Sequence, residues 1–318
     1  MRKWIVLLGI AVLAACASSP VDYNGATAPR SAPIVPLKSE RPLIALALGS
    51  GGTRGFAHVG VIKALEEAGL VADIVAGSSS GAIVAALYAA GHGARALEEL
   101  AVGVDRDALV DFTLFGKGWV RGEALQDFVN QAVSGRPMEK LARPFAVAVT
   151  RVRDGAQVVF NRGDTGVAVR ASASVPNLFV PPLIRGEEYI DGGLTTPIPV
   201  RAARAMGGDV VIAVDVSWSA QARADGAYAA SADTSRFRNE RHRRLEEELT
   251  AADVVIVPRT ARTRMLDFDH KLDHIAAGEE AARAAIPRIL ELVARAQVEK
   301  PSGSSSRLPA PRYGVPLE

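Results

Sequence analysis

Ile74-Val75-Ala76-Gly77-Ser78-Ser79-Ser80-Gly81-Ala82-Ile83-Val84 is the stretch that decides the fold. A short apolar run stops at a glycine, and an alanine-rich stretch reaching Tyr88 begins at a second one. The first reads as a strand and the second as a helix. A G-x-S-x-G sequence at a strand-to-helix turn is the setting of a nucleophile elbow. Gly77 and Gly81 leave room for a sharp turn, and Ser79 is pushed out towards a substrate. A plain Gly/Ser connection has the same composition. The meaning of the turn therefore depends on whether a base and an oxyanion site lie elsewhere.

Upstream, Leu43-Ile44-Ala45-Leu46-Ala47-Leu48 is a continuous apolar run, the pattern of a strand buried on both faces. A turn from Gly49 to Gly55 follows, then Phe56, Val59, Ile62 and Leu65 at helical spacing up to Gly69. Asp73 to Ala76 supplies the next strand. Strand, glycine turn, helix, strand, tight turn, helix is a βαβα opening and predicts a parallel sheet. Further strands are predicted at Phe145 to Thr150, Gln157 to Asn161, Asp209 to Val216 and Asp253 to Val257. Asp154-Gly155 is a hairpin turn between two of them. A long final helix is predicted from Leu272 to Val298. No internal linker divides these elements, so residues 42–298 read as one α/β domain.

The chain has 318 residues, ample material for a core. A formal net charge of +2 lacks the basic excess of a nucleic-acid binder, and 5% aromatic residues leave few stacking platforms. Nucleic acid is not an expected partner. Arg2 and Lys3 precede the apolar stretch Trp4 to Ala14, which is shorter than the roughly 20 residues that a bilayer core takes. Residues 1–15 read as a secretory signal. Leu13-Ala14-Ala15-Cys16 resembles the lipobox of bacterial lipoproteins. That resemblance implies that Cys16 carries palmitate-type acyl chains and becomes the mature N-terminus. The other reading is an ordinary signal peptide that happens to contain a cysteine. Ala17, in place of an acidic residue, is similar to the outer-membrane sorting pattern. The expected location is the bacterial envelope, anchored by lipid and facing the periplasm. Residues 16–41 and 299–318, rich in Ser, Ala and Pro, are expected to be a flexible tether and a disordered tail.

The turn Gly49-Ser50-Gly51-Gly52-Thr53-Arg54-Gly55 leaves backbone N–H groups exposed ahead of a helix. Such a turn holds a phosphate or a transition-state oxyanion. A dinucleotide fingerprint fails because Arg54 stands where its last glycine belongs, and a P-loop fails for want of Gly-Lys-Ser/Thr. An oxyanion hole is the better reading and pairs with Ser79. Arg54 orders this loop, meets an anionic headgroup or sits at the surface. Asp191-Gly192-Gly193, after the predicted strand Glu188-Tyr189-Ile190, is in isolation an acidic turn.

In this order, Gly51-Gly52-Thr53-Arg54-Gly55, the Gly77–Gly81 elbow and Asp191-Gly192-Gly193 resemble the patatin-like phospholipases. Arg170-Ala171-Ser172-Ala173-Ser174-Val175-Pro176 and Ala252-Asp253-Val254-Val255-Ile256-Val257-Pro258 agree, and the likeness covers about Pro42 to Ile289. Ser50 departs from it, since many members have a glycine there. The resemblance implies a three-layer sandwich with a mostly parallel central sheet and helices on both faces. It implies a Ser79–Asp191 dyad in place of a Ser-His-Asp triad, with the oxyanion held by N–H groups around Gly51, Gly52 and Thr53. Ser79 attacks an ester, Asp191 takes its proton, and water releases the acid from an acyl-enzyme. An aspartate with an ordinary pKa of about 3.9 is a poor base at neutral pH, so burial is expected to raise it. No metal or organic cofactor is implied. The implied partners are a membrane phospholipid or lysophospholipid and, through lipidated Cys16, the membrane itself.

Two rivals remain: a triad esterase acting on small soluble esters, and a non-catalytic envelope protein that binds lipid or a partner. For the triad, His58 lies close behind the glycine loop and reads as packing or loop support. His92 reads as solvated, and His242 sits on a charged helix. His270 and His274 follow Asp191 and are spaced like two metal ligands on a helix, but they lack the glutamate of H-E-x-x-H. The arginines from Arg236 to Arg244 read as a solvated helix or as a surface for anionic headgroups. Phe112, Leu114, Phe115 and Trp119 read as contacts for an acyl chain or membrane, or as core.

Overall fold

The computed structural model describes residues 21–113, 118–217, 236–261, 263 and 266–300, without the side chains of 236–239. The signal sequence, Cys16, Leu114, Phe115 and the predicted tail from 301 on lie outside the described residues.

One sheet contains β1 (Asp22–Tyr23), β2 (Ile44–Leu48), β3 (Ile74–Ser78), β4 (Phe145–Arg151), β5 (Gln157–Phe160), β6 (Leu183–Ile184), β7 (Glu187–Asp191), β8 (Val210–Val214) and β9 (Val254–Ile256). Its centre, in the order β4-β3-β2-β8-β9, is parallel throughout. The helices are α1 (Ala57–Glu67), α2 (Ser80–Ala90), α3 (Ala94–Gly103), α4 (Glu123–Ala132), α5 (Thr165–Ala173), α6 (Val200–Ala205), α7 (Arg236–Leu249) and α8 (Lys271–Glu299).

The alternation within β2 shows how the layers arise. Ile44, Leu46 and Leu48 pack with α1, α2 and α8 on one face. Ala45 and Ala47 face the other way, against Val200 and Ala203 of α6 and Leu245 of α7. Bulky residues on one face and alanines on the other let both layers close on a strand with no exposed side. The result is the expected three-layer sandwich with a mostly parallel sheet. Ile275, Ala282 and Ile289 recur at heptad spacing and form the buried seam of α8. That seam lies against α1 so closely that a Cβ on Gly60 would stand 1.9 Å from the Ile275 carbonyl oxygen, and one on Gly278 2.0 Å from that of Ala57.

The edge of β4 positions the site. Along that edge β3 pairs in parallel up to Ala148, and β7 pairs antiparallel from Arg151 back to Val149. β5 takes the opposite edge, across the Asp154-Gly155 turn. The C-terminal ends of β3 and β7 therefore meet head to head beside β4. Ser79 leaves one end and Asp191 closes the other.

From Val21 on, the predicted tether is instead a strap bound to the domain. Asp22 and Tyr23 pair with β6, and Asn161 brackets Ala32 by accepting from its N–H at 2.8 Å and donating to its carbonyl at 2.9 Å. Leu37 N–H donates to the Met206 carbonyl at 2.7 Å. The local composition is linker-like, but the partners of this backbone lie more than a hundred residues downstream, where a composition-based reading does not look.

Candidate active site

Ser79 takes φ 54° and ψ −125°, a conformation that strains a residue with a side chain. The surroundings enforce it. A Cβ on Gly77 would come within 2.5 Å of Ala82 Cα, and one on Gly81 within 2.2 Å of the Leu48 carbonyl oxygen. Ser79 N–H donates to Ser172 Oγ at 2.8 Å, and the Ser172 hydroxyl donates to the Ala148 carbonyl at 2.7 Å. The elbow is thus tied to β4 through a side chain from the Arg170–Pro176 block.

Ser79 Oγ donates to Asp191 Oδ2 at 2.5 Å, and both residues are buried. Gly193 N–H donates to Asp191 Oδ1 at 2.7 Å. The Asp191 backbone is held by Ser174 and by the Thr150 hydroxyl, each at 2.9 Å. Burial pushes the Asp191 carboxyl up to about 6, while the Ser79 hydroxyl, the Gly193 N–H and the charge of Arg241 hold it from rising further. Gly192 lies so close to β4 that a Cβ would meet the Ala148 carbonyl oxygen at 2.0 Å. A carboxylate bonded directly to a buried hydroxyl leaves no place between them for an imidazole.

Gly51, Gly52 and Thr53 line the same cavity as Ser79. Gly52 has φ +60° and opens a 3₁₀ turn reaching Phe56, the strand-to-helix connection that the glycine run predicts. The expectation for His58 holds: its Nε2–H donates to the Gly49 carbonyl at 2.8 Å, and burial pushes its pKa down to about 4, so it is neutral. Thr53 Oγ1 lies 3.2 Å from Thr263 Oγ1, which lies 3.4 Å from His274 Nε2. Arg54 orders the loop by donating from Nε to the Val216 carbonyl at 2.8 Å; its pKa is pushed down to about 10, chiefly by burial.

The other histidines differ in their surroundings. His92 is half-buried, not solvated, and its Nε2–H donates to the Ala132 carbonyl at 2.8 Å. His270 pairs with Asp273 at 3.1 Å on the surface, while His274 is buried. Among the described residues no group of three or more His, Cys, Asp or Glu is placed to hold a metal.

Sequence reasoning missed Arg241. Arg243 and Arg244 form ion pairs with Glu240 along the helix, in keeping with a solvated face. Arg241 instead turns inward, donating from Nε to the Gly193 carbonyl at 2.8 Å and from Nη2 to Ser50 Oγ at 3.4 Å. The departure at Ser50 thus places a hydroxyl beside Arg241. A signal was present: Leu245 and Glu248 are buried, and Arg241 lies one turn before Leu245 on the same face. His242, read as part of a charged helix, also lines the cavity.

The cavity measures about 880 Å³. Ser79, Asp191, Arg54 and Arg241 are among its polar lining residues, and Leu97, Leu100, Val104, Leu125 and Phe128 are among its apolar walls. Such a space suits a long aliphatic chain whose polar end meets the serine.

Residues 46–204 match the family described as patatin-like phospholipase, a span holding the loop, the elbow and Asp191. The chain belongs to that family. Its patatin-like domain is 36% identical over 187 residues to an uncharacterized NTE family protein of Mycobacterium bovis, a match covering 57% of this chain and 51% of that protein. It is 34% identical over 182 residues to the patatin-like phospholipase domain-containing protein 6 of Mus musculus, covering 54% of this chain and 13% of the mouse protein. The patatin-like chain therefore spans about half of one relative and a small part of the other. In fold it is similar to VipD from Legionella pneumophila, with a TM-score of 0.52 at 14% identity, covering 88% of this chain and 72% of that one.

Proposed function

We propose that the protein is a serine acyl hydrolase that cleaves lipid carboxylic esters through Ser79 and Asp191. The observation that carries this reading is the 2.5 Å bond from Ser79 Oγ to a buried carboxylate in a largely apolar cavity. The family membership supports it. Ionised Asp191 takes the Ser79 proton as Oγ attacks the ester carbonyl carbon. The oxyanion that forms is stabilised by N–H groups of Gly51, Gly52 and Thr53. Collapse expels the alcohol, which receives the proton from Asp191, and leaves an acyl group on Ser79. Water attacks in turn, gives its proton to Asp191, and the fatty acid leaves as Ser79 regains its hydrogen. The strained backbone at Ser79 and the second carboxylate bond from Gly193 support preorganisation of this geometry.

The substrates we assign are membrane phospholipids or lysophospholipids, with the enzyme exported and held at the bacterial envelope by acylated Cys16. Labelling of the purified protein by a fluorophosphonate serine probe tests the reading. Label should appear on the parent protein and vanish in Ser79→Ala. Asp191→Asn should lower ester hydrolysis by about 10³-fold or more while the fold survives. Full hydrolysis by folded Asp191→Asn would sink the dyad, and an unlabelled, inactive parent would favour a lipid-binding protein.

A further inference from the structure

Four of the seven residues from Gly49 to Gly55 are glycine, so the turn that offers N–H groups to the oxyanion is restricted little by its own side chains. Its bracing comes from outside. His58 holds the start of the turn at the Gly49 carbonyl. The far end meets the chain that leads into α8. Phe268 stands edge to face on Phe56, with ring centroids 5.6 Å apart. Thr263 Oγ1 lies 3.2 Å from Thr53 Oγ1, and His274 Nε2, in the first turn of α8, lies 3.4 Å from Thr263 Oγ1. Both threonines line the cavity. His274 is fully buried and is not part of that lining.

The surroundings of His274 give this chain of contacts a direction. Its Nδ1 is buried without a partner among the described residues, so a proton there would be a stranded donor. The proton therefore belongs on Nε2, which donates to Thr263 Oγ1 and leaves the Thr263 hydroxyl to donate to Thr53 Oγ1. Burial, and then the charge of Arg54, push the His274 pKa below its ordinary value, so the ring stays neutral and keeps this tautomer near neutral pH. An apolar side chain would be cheaper to bury here than an imidazole with one nitrogen unpaired. What the imidazole adds is the bond from its other nitrogen. The helix that carries it is fixed, because α8 is clamped on α1 at Gly60 and Gly278.

We propose that Thr263 and His274 are positioning residues for the hydrolysis: the relay from His274 through Thr263 to Thr53 ties the glycine turn to α8 and holds its N–H groups where the oxyanion forms. The proposal rests on the acyl-hydrolase reading for its purpose. Oxyanion donors act only when they are fixed before the charge develops, and a donor that drifts loses most of its effect.

The test uses the full-length protein and a soluble short-chain nitrophenyl ester. Thr263→Val keeps the shape and removes the hydroxyl; it should lower kcat by about tenfold or more while KM stays within about twofold. Thr263→Ser should restore most of the rate. His274→Gln, whose amide nitrogen can stand in for Nε2, should keep most of it too, whereas His274→Leu should match Thr263→Val. The double variant Thr53→Val/Thr263→Val should lose no more than Thr53→Val alone, because both changes break one bond. Amide hydrogen exchange over residues 51–55 should quicken by about threefold or more in Thr263→Val and stay as it was in α1.

Parent kcat in folded Thr263→Val would overturn the proposal. So would losses that multiply in the double variant, or unchanged exchange over residues 51–55. A parent that hydrolyses no ester would remove the hydrolase reading, and faster exchange in Thr263→Val would then still support the brace on the turn.

Discussion

Asp191 is pulled in two directions, and both can be measured. Burial raises its pKa to about 6, yet only the ionised form can take the Ser79 proton. Hydrolysis of a soluble ester should therefore rise with pH through about 6 and level off above it. The charge of Arg241 acts against the rise. Arg241→Gln should shift the acid limb upward by roughly half a unit or more, and Arg241→Lys should restore most of it. An unmoved limb in folded Arg241→Gln would reduce Arg241 to a brace for the Gly193 turn. The same carboxyl also weighs on stability. Its folded pKa lies above the ordinary value, so the folded state binds more protons and loses stability as pH rises between about 4 and 6. Asp191→Asn should then gain on the order of 1–3 kcal/mol near pH 8, and the gain should fade towards pH 4. Urea unfolding at the two pH values checks it. Ser79 and Asp191, which meet in the structure, stood out in the sequence because each sits among glycines and the two turns follow a third, at Gly51–Gly55. Arg241 did not, since one inward side chain in a charged helix leaves only a faint mark.

At the scale of elements, two strand ends make the site. β3 and β7 are far apart in sequence and run in opposite directions, but both end beside Ala148 and Val149 of β4. The apolar runs at Leu43–Leu48 and Ile74–Ala76 announced the parallel centre, because only a strand covered on both faces has no polar alternation. The antiparallel approach of β7 left no such mark, since pairing partners are not encoded locally. Packing of α1 on α8 is a second case. Gly60 and Gly278 look like weak points of helices, but their missing Cβ atoms let the two backbones approach. Gly278→Ala should cost about 2–3 kcal/mol, seen as a lower urea midpoint, while fluorophosphonate labelling of the folded protein persists.

For the whole molecule, the strap from Val21 to Arg41, which composition alone would set free, is bound to the domain at β6, Asn161 and Met206. Its anchor is Asn161, buried and bonded twice to Ala32. Asn161→Ala should cost about 1–3 kcal/mol and expose the strap to limited proteolysis near residues 30–41. Undiminished resistance in that variant would mean that β1 and the Leu37 contact suffice. Taken by itself, the sequence determined the layered α/β architecture, the order of its parallel strands and helices, and the three glycine-marked turns that line the cavity. These are local matters of periodicity, chain reversal and steric room. The tertiary structure alone decided that Ser79 and Asp191 touch, that Arg241 leans on their turn, that Phe112 and Trp119 face outward, and that the strap is bound. Each of these depends on contacts between residues distant along the chain, whose burial and electrostatics exist only once the layers have closed.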